Sequence, residues 1–406
     1  MLPNSYLIHN GRLLTPFDQV PRGWVAVEDG KIRRIGSGDP PGTSGFSQPG
    51  VRMIDAKGSM VIPGLIDTHV CGMLGYDCRE GLRAYGPIAR GLTRYGVTSF
   101  LPTILSTGSR EAMALVDQVK QAQVSDNQGA DILGVHLEGP HLGKRYRGLS
   151  LEEELSEVSI EQDRALYERY PGLVKLATVA PELPGCLAYI RYLHGQGVVV
   201  SIGHTEISTM AQLSAAIEAG ASHVTHIFNA MQVRGLRELG VDAPGFADLA
   251  IIEDRVTVSL IADGVHVCPE LVNLLVRAKP HDQIVLITDC FPGTGMPNGI
   301  YTYANGVEVI MDGTCHRTIK EKGLAGSVLT LNRAVKNVIS WTTLPVTEVL
   351  SMATINPARL LGLADRKGAL KPGLDADLVI MDQDWNVQLT MVGGRIVHQN
   401  PGGAGA

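Results

Sequence analysis

From residue 61 onward the chain alternates two textures: short β-branched runs, and longer stretches whose apolar positions recur at helical spacing. Eight short runs stand out: "VIPGLID", "VTSFLPT", "ILGVHLEG", "VKLATVAPE", "VVVSIGH", "HVTHIFN", "VTVSLIADGVH" and "IVLITD". Eight strands separated by helices predict a (β/α)8 TIM-like barrel spanning 61–365. The two ends of the chain have a different pattern. "SYLIHNGRLL", "WVAVEDGKIRRIG" and "VRMIDAKG" precede the barrel, and "DADLVIMD" and "VQLTMVGGRIVH" follow it. Their Asn-Gly, Asp-Gly and Gly-Gly pairs are hairpin signals. Residues 1–60 and 366–406 are therefore expected to meet in one small β-sandwich domain.

Barrel enzymes gather their chemistry at the C-terminal ends of the strands. Asp67, His69, Thr103, Glu138, Glu182, His204, His226, His266 and Asp289 fall there. Glu138 closes "GVHLEG", His204 closes "VVVSIGH" and His226 lies in "HVTHIFN". One carboxylate and two imidazoles from three strands suit a zinc site that keeps a position open for water. Asp289, after the eighth run, is then the candidate general base and acid. A lone histidine at a strand end is more often a hydrogen-bonded structural residue. That bland reading weakens when five ionisable groups end successive runs, because each one buried without a partner costs several kcal/mol. His136 should face the same way as Glu138, His223 should face away from His226, and both read as structural; His141 is open.

Composition narrows the partners. The net charge of -6 and the lack of a basic run exclude a nucleic-acid binder. No secretory leader and no membrane-spanning run is read. Six scattered cysteines without a CxxC pair fit reduced thiols in a cytoplasmic enzyme.

Taken in order, "PGLIDTHVCG", "VHLEGPHL", "SIGHT", "THIFNAM", "IADGVH", "ITD" and "LAGSVLTL" resemble the N-acetylglucosamine-6-phosphate deacetylase family of the amidohydrolase superfamily. "GALKPGLDADLVIMD" resembles that superfamily's small β-domain. The resemblance implies removal of an acetyl group from an amino-sugar phosphate. It implies a divalent metal, usually one Zn2+, on Glu138, His204 and His226, with Asp289 as acid/base. It further implies substrate contacts at His266, Asn229, Ala230 and Leu149 and along Leu324, Ala325 and Gly326, and a phosphate contact at Arg237. Arg234 competes for that last role, and "GKRYR" (143–147) reads as a solvated loop whose Lys144 or Arg145 could reach the mouth. A homodimer or larger oligomer is also implied.

Many superfamily members carry His-x-His after the first strand, holding a second metal. Here the pair is His69 and Cys71, a departure that favours single-metal operation while leaving a thiolate-bound second ion as the alternative. Three rival functions stand beside the main one. The first is the same reaction on the galactosamine epimer. The second is cyclic-amide hydrolysis of the dihydropyrimidinase or dihydroorotase kind, which uses a modified lysine at the end of the fourth strand. In "VKLATVAPE" the lysine comes early and Glu182 ends the run, which counts against it. The third is a non-catalytic scaffold, disfavoured because all four central residues are present.

Overall fold

The computed structural model describes residues 5–40, 51–125, 128–236, 240–320 and 323–401. Five strands come first: β1 (Ser5–Leu14), β2 (Gln19–Glu28), β3 (Lys31–Ser37), β4 (Val51–Asp55) and β5 (Met60–Pro63). The next eight are β6 (Leu65–Val70), β7 (Val97–Leu105), β8 (Val135–Glu138), β9 (Val174–Val179), β10 (Val199–Ile202), β11 (Ala221–Val224), β12 (Thr257–Ile261) and β13 (Ile284–Ile287). Each pairs in parallel with the next, from β6 through β13. Helices lie between them, among them Leu82–Thr93, Ser109–Val124, Cys186–Gly195 and Pro269–Ala278. This is the (β/α)8 barrel. Its strands are buried along nearly their whole length, as expected when both faces of a parallel sheet are covered.

The barrel closes between its first and last strands. The Asp289 amide donates to the His69 carbonyl (3.0 Å), and the Cys71 amide donates to the Cys290 carbonyl (2.9 Å). Closure thus sets two chemically important residues side by side although they are far apart in sequence.

The chain ends build one eight-stranded sheet. After the eighth barrel strand come β14 (Gly299–Thr302), β15 (Glu308–Met311), β16 (Cys315–Thr318) and β17 (Leu324–Ser327), and at the chain's end β18 (Leu378–Met381), β19 (Val387–Val392) and β20 (Arg395–Gln399). The sheet runs β20-β19-β18-β5-β1-β2-β3, with β4 on β1. Alternation puts Tyr6 and Ile8 in one apolar cluster and Leu7 in another.

Two features depart from the sequence reading. "VIPGLID" is not one strand: Met60–Pro63 pairs with β1 and β18 in the small sheet, while the barrel begins at Leu65. Gly64 is the joint, and Thr98 Oγ1 lies only 2.0 Å from where a Cβ would stand. The antiparallel sheet β14–β17 was not anticipated at all. Among the described residues, no helix is long and apolar enough to cross a membrane.

Lys367 ties the small sheet to the barrel. Its ammonium is 3% exposed and lies 2.5 Å from Asp377 and 2.8 Å from Asp131, which sits beside β7. Removing one partner of a buried pair leaves the other charge uncompensated. Lys367→Met is expected to lower unfolding free energy by about 3–5 kcal/mol in denaturant titration. The double variant Lys367→Met/Asp377→Asn should recover part of that loss.

Candidate functional site

Glu138 ends β8 and is 3% exposed. Its Oε1 lies 2.9 Å from His204 Nε2 and 3.1 Å from His226 Nε2, and those two nitrogens are 3.1 Å apart. His204 and His226 come just after β10 and β11. His204 Nδ1 is 2.6 Å from the Tyr146 carbonyl. A carbonyl only accepts, so Nδ1 carries a proton there, and Nε2 faces Glu138 and His226. Three buried donor atoms from three strand ends, all within 4.8 Å of one another, therefore converge on one point. One carboxylate oxygen and two imidazole nitrogens are the ligand types a zinc site with an open position uses, so this set fits a metal ion by its own chemistry.

The second oxygen of Glu138 faces another group. His69 Nε2 lies 3.1 Å from Glu138 Oε2 and 3.2 Å from Asp289 Oδ1, and Cys71 Sγ is 3.7 Å from that same Asp289 oxygen. His69, Cys71 and Asp289 form a second buried cluster of metal-ligand types. Burial opposes a charge on His69, yet Glu138 and Asp289 beside it lift its pKa to about 9. For Glu138 the balance runs the other way: burial favours the neutral acid, but His69 and the other two imidazoles hold it well below the usual carboxylate range. Burial, reinforced by Asp289 and Glu138, drives the Cys71 thiol well above its ordinary value.

Backbone geometry supports these positions. His204, His226 and Asp289 have φ of 50°, 31° and 48°, in the left-handed region that non-glycine residues seldom occupy. Each is held there from outside. The His226 amide donates to Ser259 Oγ (2.8 Å), and Asp289 is fixed through the barrel closure. Asp67 locks the same closure, accepting from the Thr288 hydroxyl (2.6 Å) and the His69 amide (3.2 Å). Burial outweighs those hydrogen bonds and raises its pKa to about 6.

The first cluster and Asp289 open onto a cavity of about 830 Å³, which His69 and Cys71 do not line. Glu138, His204, His226 and Asp289 meet it, and Asn229, Ala230, His266, Leu149, Leu324 and Gly326 line it. Ala325 does not; it is fully buried in the apolar cluster behind the wall, its carbonyl bonded by Tyr303. The Leu149 carbonyl is taken by Asn305 Nδ2 (3.3 Å). His266 Nδ1 sits 2.6 Å from Asp263; burial works against protonation, but the carboxylate prevails and raises its pKa. Arg237 lies outside the described residues. Arg234 is gripped by Asp248 (Nε to Oδ2 2.9 Å) and is not among the cavity walls.

His136 and His223 belong to the barrel interior. The first lies between Thr103 (3.3 Å) and Thr178 (2.8 Å), the second against Thr257 (2.7 Å), and burial lowers the pKa of both. His141 is 2.7 Å from Asp163 and anchors the loop after β8. Sequence reasoning missed Asn305, Glu308, Thr318 and Lys320, which line the cavity from the β14–β17 region; of the "GKRYR" stretch, Arg145 and Arg147 line it, whereas Lys144 pairs with Glu152. The signal for that sheet was present in "YANGVEVIMDGT", with Asn-Gly and Asp-Gly flanking an alternating run.

Comparison with known proteins agrees with this geometry. Residues 60–397 match the family model described as amidohydrolase family. The chain is 32% identical over 400 residues to the N-acetylglucosamine-6-phosphate deacetylase of Bacillus subtilis, covering 97% of this chain and 98% of that protein. It is 34% identical over 393 residues to the N-acetylgalactosamine-6-phosphate deacetylase of Escherichia coli O157:H7, covering 97% and 99%. Among solved structures, the N-acetylglucosamine-6-phosphate deacetylase of Pasteurella multocida superposes with a TM-score of 0.88 at 26% identity, over 98% of this chain and 100% of that one. With a metal-ligand cluster at the mouth of a matching barrel and a family match across most of its length, the chain belongs to the amidohydrolase family.

Proposed function

We propose that this hydrolase removes the acetyl group of N-acetylglucosamine 6-phosphate, releasing glucosamine 6-phosphate and acetate. One observation carries the reading: Glu138, His204, His226 and Asp289 meet at one cavity in a chain alike, along nearly its full length, to deacetylases of acetylated amino-sugar phosphates. Amidohydrolases are metal-dependent, and a single zinc ion on Glu138, His204 and His226 suits the donor set. When bound, such an ion supplies Lewis acidity, enough to bring the pKa of water to about 7.

The chain's own groups do the rest. Asp289 accepts the proton of the attacking water and returns it to the departing amine nitrogen. His69, between Asp289 and Glu138, keeps the aspartate oriented and its charge balanced. His266, its Nδ1 engaged by Asp263, offers its other ring nitrogen to the substrate. Asn229 and Ala230 take the sugar phosphate, with Arg237 as the phosphate's cationic partner through its planar guanidinium. Leu324 and Gly326, on the cavity wall, lie near the acetyl group, and Leu149 makes a further substrate contact.

The galactosamine epimer is the second reading, favoured by the 34% identity to the Escherichia coli O157:H7 protein. Acetate release from the two epimeric phosphates, compared by kcat/KM, decides between them. A cyclic-amide substrate is disfavoured because Lys175 lies at the start of β9, away from the strand end that meets the cavity.

Asp289→Asn should lower kcat about 10²–10⁴-fold and leave zinc content unchanged by elemental analysis; normal turnover would remove Asp289 from the mechanism. Arg237→Ala should raise KM far more for the phosphorylated sugar than for the free one. Equal increases would show that it does not meet the phosphate.

A further inference from the structure

Glu182 lies three residues beyond β9 and is not among the cavity walls, yet both of its oxygens are engaged at the turn that carries His204. Oε2 accepts from the Thr205 hydroxyl at 2.6 Å, and Oε1 accepts from the Glu206 amide at 2.7 Å. These are the two residues that follow His204, the point where the backbone turns left-handed. Thr205 Oγ1 accepts in turn from the Ile207 amide at 3.2 Å, so the carboxylate orders the whole turn.

The same turn is gripped from the other side. The Gly143 amide donates to the His204 carbonyl at 2.8 Å. A Cβ on Gly143 would stand 2.8 Å from that oxygen and 3.0 Å from Glu182 Oε1, so only glycine fits between them. Three residues on, the Tyr146 carbonyl receives His204 Nδ1, and the Tyr146 hydroxyl donates to Gln232 Oε1 at 3.0 Å. The Gln232 amide then donates to the Thr205 carbonyl at 3.0 Å, which completes the circuit. His204 is held at its ring, its carbonyl and the two residues after it, with Glu182 as the hub.

We infer that Glu182 is a positioning residue, which fixes the strained turn so that the His204 imidazole stays aimed at Glu138 and His226 and thereby sets how tightly the site holds its cation. This rests on the proposed ligand role of His204. Groups that orient a metal-binding histidine typically matter 10–100-fold in affinity. The role needs two hydrogen-bonding atoms rather than a negative charge, because a glutamine can still accept from the Glu206 amide through Oε1 and donate from Nε2 to the Thr205 hydroxyl oxygen.

Zinc affinity, measured by competition with a chromophoric chelator on the full chain, tests the inference. Glu182→Ala should weaken zinc binding about 10–100-fold with the apo melting temperature unchanged and KM unchanged at saturating zinc. Glu182→Gln should restore most of the affinity, and Thr205→Val, which removes one arm only, should show a smaller loss. Thr205→Val also carries the test if Glu182→Ala does not fold. His204→Ala separates the two levels of the argument. If His204→Ala loses zinc while Glu182→Ala and Thr205→Val bind it as the parent does, the positioning role fails and the ligand assignment stands. If His204→Ala binds zinc normally, the ligand assignment itself fails. Glu182→Gln falling as far as Glu182→Ala would overturn positioning by hydrogen bonds.

Discussion

Glu138 is a carboxylate taken out of water at the mouth of a barrel, with imidazole nitrogens against both of its oxygens. Isolated in an apolar setting, such a charge would cost many kcal/mol and would neutralise instead. Here one oxygen meets His69, which also faces Asp289, and the other meets the imidazoles of His204 and His226. The left-handed turns at His204, His226 and Asp289, the barrel closure and the Tyr146 carbonyl all serve to bring these atoms together. Strain of this kind, of order 1–3 kcal/mol per residue, persists only where surrounding contacts over-determine it.

Much of this was legible in the residues because it rests on local patterns. Eight β-branched runs gave the barrel, since parallel strands covered on both faces must be apolar throughout. Polar groups at the ends of those runs gave the site, since burial without a partner is costly. What could not be read depends on contacts distant in sequence. The split of "VIPGLID" at Gly64 follows from β5 pairing with β18, more than 300 residues later. The wall made by β14–β17 is an antiparallel insertion after the eighth barrel strand, and that it folds over the cavity depends on contacts its local alternation does not encode. Ala325 was grouped with its neighbours Leu324 and Gly326, but adjacent residues on a strand point to opposite faces, and its side chain packs behind the wall.

The departure at Cys71 has a structural counterpart. Where the superfamily pattern would put a second imidazole, a buried thiol faces an aspartate oxygen, and burial raises its pKa. His69 meanwhile bridges Glu138 and Asp289 as a hydrogen-bonding cation. Both clusters offer metal-ligand side chains, and only the first combines the Glu138 carboxylate with two imidazoles from separate strand ends. The proposed zinc ion is assigned to that first set.

X-ray diffraction from zinc-loaded crystals, recorded on both sides of the zinc absorption edge, tests this most directly. The account predicts one strong anomalous peak within bonding distance, about 2.0–2.2 Å, of a Glu138 oxygen, His204 Nε2 and His226 Nε2. A peak seated instead among His69, Cys71 and Asp289, or none near Glu138, would contradict it.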